Sequence, residues 1–146
     1  MKEASADENI ISVGNFVSRL FATCTNPAEN KPSLSLPELL RYGHFRGWLE
    51  DQDERYPDAV LNRQSAARIL HQFLRLECGL PDLADISPAL KLRDLYTCRA
   101  CAEHIAQIYS RGLMQQTDEL MFFNHLAPLT KTEAQTILEK LFQLIS

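Results

Sequence analysis

The chain has 146 residues, of which 45% are apolar, and it carries a formal net charge of −4. This apolar share is sufficient to build the core of one ordinary domain. The acidic balance argues against a nucleic-acid-binding protein, because phosphate contacts need a concentrated basic surface.

No apolar run approaches the roughly 18 residues that a membrane-spanning helix needs, so no membrane insertion is expected. Residues 1–9 form a polar, acidic tail that does not resemble a signal peptide. The sequence therefore leaves two locations open. The chain is either cytoplasmic, or a fragment of a longer exported protein that lies in the cell wall at the cell surface.

The first half of the chain alternates helical patterns with loops. Apolar residues at helical spacing predict a helix over 10–24, with Ser12 able to cap its start. Residues 25–35 are typical of a loop because they contain proline and asparagine. A capping-box pattern at Ser35–Glu38 opens a short helix. The charged run 51–55 is predicted as a solvated loop, because its acids lack the glycine-punctuated spacing of a calcium site.

The second half contains three long helical patterns, over residues 62–78, 97–110 and 130–145. Asn62 caps the first of them, and Thr130–Glu133 is a capping box at the start of the last. Ser87 followed by Pro88 can start a short helix. Consecutive apolar residues leave 117–126 open between an extended turn and a helical turn.

The chain repeats itself once, without a gap. Segment 61–76 aligns with segment 129–144, so that Leu61–Arg63 corresponds to Leu129–Lys131. Each copy begins with an apolar residue, a helix-capping residue and a cation. A fainter third copy begins at Ile11–Val13, where valine stands in the place of the cation. The repetition predicts an assembly of related helical modules.

A series of residues at fixed spacing fills the second copy and its upstream segment: Asp94, Ala102, Ile105, Gly112, Phe123 and the motif at 130–134. This layout resembles the S-layer homology repeat. The pattern of that family is an aromatic-x-Asp, a helix with Ala and Ile, a Gly, a Phe and a Thr-Arg-Ala-Glu motif. Leu92 replaces the aromatic residue, and in the first copy Ser65 replaces the motif's Glu.

The resemblance implies an all-α single domain of short helix pairs in pseudo-threefold repeats, with two clear units and one faint unit. In this interpretation the tail covers residues 1–9 and the helical domain covers 10–146. The domain is composed of units at about 10–34 (partial), 35–79 and 86–146.

The resemblance also implies a non-catalytic module that binds anionic, pyruvate-modified cell-wall polysaccharide of a Gram-positive bacterium. It assigns the motif cations, Arg63 and Lys131, as contacts to the sugar. A cation in the first turn opposes the helix dipole, so this repeated placement indicates a reason beyond helix stability. Asp94 is predicted as a groove or hydrogen-bonding residue. Trp48 is either a core anchor or a stacking platform for a sugar or a protein.

The alternative function is an intracellular protein–protein interaction adaptor on the same helical scaffold. The lack of a signal-like segment at the start of this sequence and its four cysteines favour this alternative. Both hypotheses describe a binding module, and no nucleophile in the chain has the local signature of a known catalytic motif. Neither enzymatic activity nor a cofactor is therefore predicted.

The cysteines, Cys24, Cys78, Cys98 and Cys101, are too few to build a disulfide-stabilised fold, so mostly reduced thiols are expected. Cys98, Cys101 and His104 are of the types that bind zinc. Helical spacing, however, places both cysteines on the side of Ile105, which predicts buried apolar thiols and no metal site. Redox chemistry is disfavoured because no strand–helix setting surrounds the pair.

Overall fold

The computed structural model describes residues 9–24 and 34–145. These residues form six α-helices and two short 3₁₀ helices and contain no β-strand, which confirms the all-α prediction. The predicted tail up to residue 8 and the predicted loop over 25–33 lie outside the described residues. The α-helices are α1 (Val13–Cys24), α2 (Leu36–Arg46), α3 (Asp51–Arg55), α4 (Arg63–Leu76), α5 (Arg99–Ser110) and α6 (Lys131–Ile145), and the 3₁₀ helices are Ser87–Lys91 and Leu95–Thr97.

The chain forms two compact units. The first contains the chain up to Leu61 and from Pro128 onward, and the second is Asn62–Ala127. These boundaries fall inside the predicted repeat units 35–79 and 86–146, so the compact units and the predicted units do not coincide. Helices α1, α2, α3 and α6 belong to the first unit, and the second contains α4, α5 and both 3₁₀ helices.

The core of each unit comes from the apolar stripes of its helices. In the first unit, α1 contacts α6 and α2, and α2 contacts α3. In the second, α4 contacts α5, which also contacts both 3₁₀ helices. The buried stripes contain Phe16, Val17 and Leu20 on α1, Ile137 and Leu141 on α6, Ile69, Leu70 and Phe73 on α4, and Ile105 and Ile108 on α5.

The predicted helix starts at Ser12, Ser35, Asn62 and Thr130 are confirmed. Each of these side chains accepts a hydrogen bond from the backbone N–H three residues later. Ser35 is also part of a full capping box, because Glu38 accepts from the backbone N–H of Ser35. The predicted short helix at Ser87 is present as a 3₁₀ helix.

The prediction of a solvated loop over 51–55 is wrong. These residues form α3, and Asp53 is buried at 3% exposure, where its carboxylate accepts from the backbone N–H of Glu50 at 2.8 Å. Asp51 stays exposed and pairs with Arg55 at 3.0 Å. The acid at the third helical position therefore caps the helix start, a use of carboxylates that needs no calcium-type spacing.

Backbone hydrogen bonds join the aligned residues Ile11, Leu61 and Leu129 in a closed ring, which lies in the first unit. Ile11 donates to the carbonyl of Leu129 at 3.3 Å, Leu129 donates to Leu61 at 2.8 Å, and Leu61 donates to Ile11 at 2.9 Å. All three side chains are buried. The ring thus connects three residues that occupy the same position in the sequence alignment, one from each of the two clear copies and one from the faint copy.

A second set of contacts follows the same pattern. The first helical residue of α1, α4 and α6 donates its N–H to a carbonyl that lies two positions before a ring residue, namely Val13 to Ala59, Arg63 to Ala127 and Lys131 to Asn9. The donor–acceptor distances are 2.9, 2.9 and 2.8 Å. Groups that a helix start leaves unsatisfied are therefore paired in the same way three times.

Gly43 on α2 has no room for a side chain. An added Cβ would lie 2.6 Å from Leu49 Cδ1 and 3.0 Å from Trp48 Cη2, and both neighbours are buried. We expect Gly43→Ala to lower the free energy of unfolding by about 1–3 kcal/mol through overpacking, although alanine has the higher helix propensity. Urea unfolding followed by Trp48 fluorescence measures this change.

Gly79→Ala is the matched control for this substitution. No atom lies within 4 Å of its added Cβ, but its φ of +67° is left-handed. The expected cost is therefore only the backbone term of about 1–2 kcal/mol. A Gly43→Ala protein as stable as the original chain would contradict the packing described here.

Candidate functional site

Arg63 is buried in the second unit, at 2% exposure. Its Nε donates to the carbonyl of Phe123 at 2.7 Å, and its Nη2 donates to the carbonyl of Gln115. The guanidinium carbon lies 4.5 Å from the centroid of the Phe123 ring, which is a cation–π distance. Arg63 therefore holds the segment 115–123 in place from inside the unit. Direct contact with a ligand would need an exposed side chain, and Arg63 is buried.

Burial lowers the pKa of Arg63 to about 10, and the carboxylate of Asp94 opposes this shift. The side chain therefore stays protonated at neutral pH. Its position also explains why a cation begins α4 against the helix dipole: hydrogen bonds to carbonyls of a distant segment compensate the charge.

Asp94 also fixes this segment through hydrogen bonds. Its two carboxylate oxygens accept from the backbone N–H groups of Phe123 and Asn124, both at 2.8 Å. Its backbone carbonyl lies 2.6 Å from Nε2 of the buried His125. Asn124 has a left-handed backbone with φ of 63°, which these bonds hold in place. The hydrogen bonds of Asp94 thus serve the fold of the second unit.

The other two predicted ligand contacts, Lys131 and Trp48, belong to the first unit. Lys131 is half-buried at the first position of α6. Trp48 is 1% exposed and packs against Gly43. Of the two alternatives for Trp48, the structure shows the first: Trp48 lies in the core.

A cleft of about 510 Å³ opens in the second unit beside the start of α5. The ring of Tyr96 at its edge is 65% exposed. Arg99, the first residue of α5, and Glu103, one turn later, supply its charges, and the rest of the lining is apolar: Ile86, Leu95, Ala102 and Ala106. An exposed aromatic ring, a cation and a carboxylate around an apolar floor can together hold a sugar.

The sequence does not predict this cleft, because the helical pattern there suggests a helix start that is too early. A helix beginning at Thr97 puts Arg99 inside its first turn, whereas α5 begins at Arg99 itself. Among the helices that the structure describes, α4, α5 and α6 therefore begin with a cation. The sequence signal for the cleft is Arg99, directly after Cys98, but this residue lies outside the two aligned segments.

Cys98 and Cys101 are joined in a disulfide, with their Cα atoms 5.2 Å apart. The prediction of two reduced thiols buried on the apolar face of a helix is wrong for this pair. Because α5 begins at Arg99, Cys98 is its N-cap and lies outside the helix, from where it can reach Cys101. Both residues are half-buried, and Cys24 and Cys78 carry thiols.

Two histidines that are far apart in the sequence meet in the second unit. Nδ1 of His71 lies 2.8 Å from Nδ1 of His104, and Nε2 of His71 lies 2.8 Å from a carboxylate oxygen of Asp82. One ring must donate and the other accept in the first contact, so the two rings cannot both be protonated there. Burial is the main cause that lowers the pKa of His104 to about 4, with the charge of His71 next.

A groove of about 690 Å³ lies between α1 and α6 in the first unit. Phe142, which is 53% exposed, supplies apolar surface on α6, and the buried Leu138 also lines the groove. Arg19 and Glu139 add one charge of each sign to the lining. The groove therefore has the composition of a surface for an amphipathic protein segment.

The described ranges 9–24 and 34–145 contain no group of three or more His, Cys, Asp or Glu residues that could hold a metal ion. The same residues form no helix that is long and apolar enough to cross a membrane. In comparisons with protein-family models, curated proteins and solved structures, nothing matches this chain.

We expect Arg63→Ala to lower the free energy of unfolding by about 3 kcal/mol or more, because it removes two charge-assisted hydrogen bonds of about 1.5–3 kcal/mol each. Lys131→Ala removes the aligned cation from a half-buried position, and its cost should stay within about 1 kcal/mol. Urea unfolding of both variants measures the difference. Equal losses would show that Arg63 does not hold the segment 115–123 in place.

The lowered pKa of His104 predicts a loss of stability in acid. The unfolded chain takes up this proton near the ordinary value of 6.5, whereas the folded chain takes it up only near pH 4. Stability should therefore fall as the pH decreases from about 6.5 to about 4, and His104→Gln should reduce that fall. Titration of the ring protons by NMR measures the pKa directly. A midpoint at or above 6.5 would contradict the burial described here.

Proposed function

We propose that this chain is a non-catalytic binding module that attaches to an anionic cell-wall glycan through the cleft of the second unit. The observation that carries the proposal is the cleft itself, with Tyr96, Arg99 and Glu103 around an apolar floor. The proposal joins this cleft to the S-layer homology resemblance in the sequence. It places the chain at the cell surface, as part of an exported protein.

The repeated contacts of the fold support the S-layer homology part of the proposal. The ring of Ile11, Leu61 and Leu129 joins one position from each of three aligned segments. A pseudo-threefold arrangement of helical units needs such a closed set of equivalent contacts. The faint N-terminal copy takes part in it on the same terms as the two clear ones.

The side chains of the cleft suit an acidic sugar. The exposed ring of Tyr96 can stack on the apolar face of a sugar ring. Arg99 can fork two hydrogen bonds to a carboxylate, and it lies at the positive end of a 12-residue helix with no acid in its first turn. Glu103 can accept hydrogen bonds from sugar hydroxyls.

The residues predicted from the sequence take revised roles in this proposal. Lys131 remains a weaker anion contact in the first unit, because an ammonium acts as a point charge. Arg63 and Asp94 act as positioning residues for the segment 115–125. Trp48 belongs to the core.

The groove between α1 and α6 favours a second candidate function, an adaptor that binds a protein partner. Helix-in-groove recognition buries apolar anchors in an apolar groove, and the exposed ring of Phe142 offers such surface here. This candidate requires no exported context and keeps the cytoplasm as the alternative location.

The first test is sedimentation of the purified chain with isolated Gram-positive cell walls, before and after mild acid removes pyruvate and other labile groups. We expect binding that the acid treatment abolishes. Arg99→Glu should weaken it by about tenfold or more, because a charge-assisted hydrogen bond is lost and a repulsion is added. Tyr96→Ala should weaken it as well.

Arg55→Glu, which reverses an exposed charge in the first unit, is the matched control and should bind normally. Circular dichroism of each variant excludes unfolding as the cause of a loss. Binding that survives acid treatment, or that Arg99→Glu leaves unchanged, would exclude the cleft as an anion site. Folded protein that binds no wall preparation would exclude attachment and favour the protein partner.

A further inference from the structure

The disulfide at the start of α5 closes a very short loop, since only Arg99 and Ala100 separate its cysteines. In the chain-entropy account, a cross-link stabilises a fold by restricting the unfolded chain, and this effect grows with the length of the closed loop. A loop of this size restricts the unfolded chain very little. The position of this disulfide therefore indicates a use other than stability.

The surroundings of Cys98 favour a thiolate. Cys98 is the N-cap of α5, and its side chain makes no capping hydrogen bond. The first turn of α5 contains no acid, and Arg99 follows Cys98 directly. Helix N-termini and neighbouring cations stabilise thiolates, which are both the attacking and the leaving groups of disulfide exchange.

The pair is also within reach of another molecule. Cys98 and Cys101 are both half-buried rather than enclosed. Tyr96, two residues before Cys98, and Arg99, which follows it directly, line the open cleft of the second unit. A peptide that carries a thiol can therefore lie against this cleft while its sulfur approaches the disulfide.

We infer that Cys98 and Cys101 form a thiol–disulfide exchange site whose substrates are protein dithiols. A substrate thiolate attacks Sγ of Cys98, the Cys98–Cys101 bond breaks, and the electron pair leaves on Sγ of Cys101. The second thiolate of the substrate then attacks the first substrate sulfur, which is bonded to Cys98 in the mixed disulfide. Cys98 leaves as a thiolate. The chain gains two electrons, the substrate becomes a disulfide, and both released thiolates take up the protons that the substrate lost.

The inference stands independently of the proposed glycan attachment. It shares Arg99 and the cleft with that proposal, but its chemistry is that of the cysteine pair, and its test contains no glycan. Failure of one proposal therefore leaves the other standing.

Glutathione is the probe for the test, because structural disulfides resist reduction by it whereas labile and catalytic ones exchange. The chain carries Cys24→Ser and Cys78→Ser, so that only the pair reacts. It is equilibrated in buffers of varied ratio of reduced to oxidised glutathione, quenched with acid and alkylated for mass spectrometry. We expect reversible interconversion of disulfide and dithiol within this series.

Single substitutions then assign the roles. Cys101→Ser should trap a mixed disulfide of glutathione on Cys98, with a yield about tenfold above that on Cys101 in the Cys98→Ser variant. Arg99→Glu should slow reduction by dithiothreitol, because the attacking thiolate meets a negative charge, while Arg55→Glu should leave the rate unchanged. Circular dichroism shows that each variant is folded.

Two results would overturn the inference. The first is a disulfide that glutathione never reduces and that yields to dithiothreitol only after unfolding, which would make it a structural cross-link. The second is an equal yield of the glutathione mixed disulfide on Cys98 and on Cys101, which would show that the helix start does not make Cys98 the more reactive cysteine.

Discussion

The burial of one positive charge constrains much of the second unit. Arg63 lies inside it, and a guanidinium in that position needs acceptors for its N–H groups. The carbonyls of Gln115 and Phe123 supply them, so the segment between these residues must follow a path that turns its carbonyls inward. Asp94 fixes that path by accepting from Phe123 and Asn124. The same segment continues to Ala127, whose carbonyl pairs with the first N–H of α4.

A single sequence feature, a cation at the first position of a helix, has three different uses in this chain. In α4 the cation is Arg63, which is buried and serves the fold. In α5 it is Arg99, which lines a cleft, and in α6 it is Lys131, which is half-buried. The position alone therefore does not determine function. What decides it is whether a distant segment covers the side chain, and this depends on the tertiary structure.

Local chemistry made much of the fold predictable from the sequence. The caps at Ser12, Ser35, Asn62 and Thr130 act within three residues, and all four were found. The candidate site was harder to predict, because the predicted start of α5 lies two residues before the observed one. With that start, Cys98 is predicted as a core residue instead of a cap, and Arg99 is not predicted as the first residue of the helix. The contact of His71 with His104 joins two helices, and spacing within either helix does not reveal it.

The ring of Ile11, Leu61 and Leu129 also bears on the order in which the chain can fold. Its three members are separated by 50 and 68 positions, so each bond closes a long stretch of chain and costs the corresponding entropy. Contacts of such high sequence separation slow folding. During synthesis from the N-terminus, two sides of the ring cannot form until Leu129 has emerged. The bond between Leu61 and Ile11 can form before that point, but the contacts between α1 and α6 in the first unit cannot form until α6 has emerged as well.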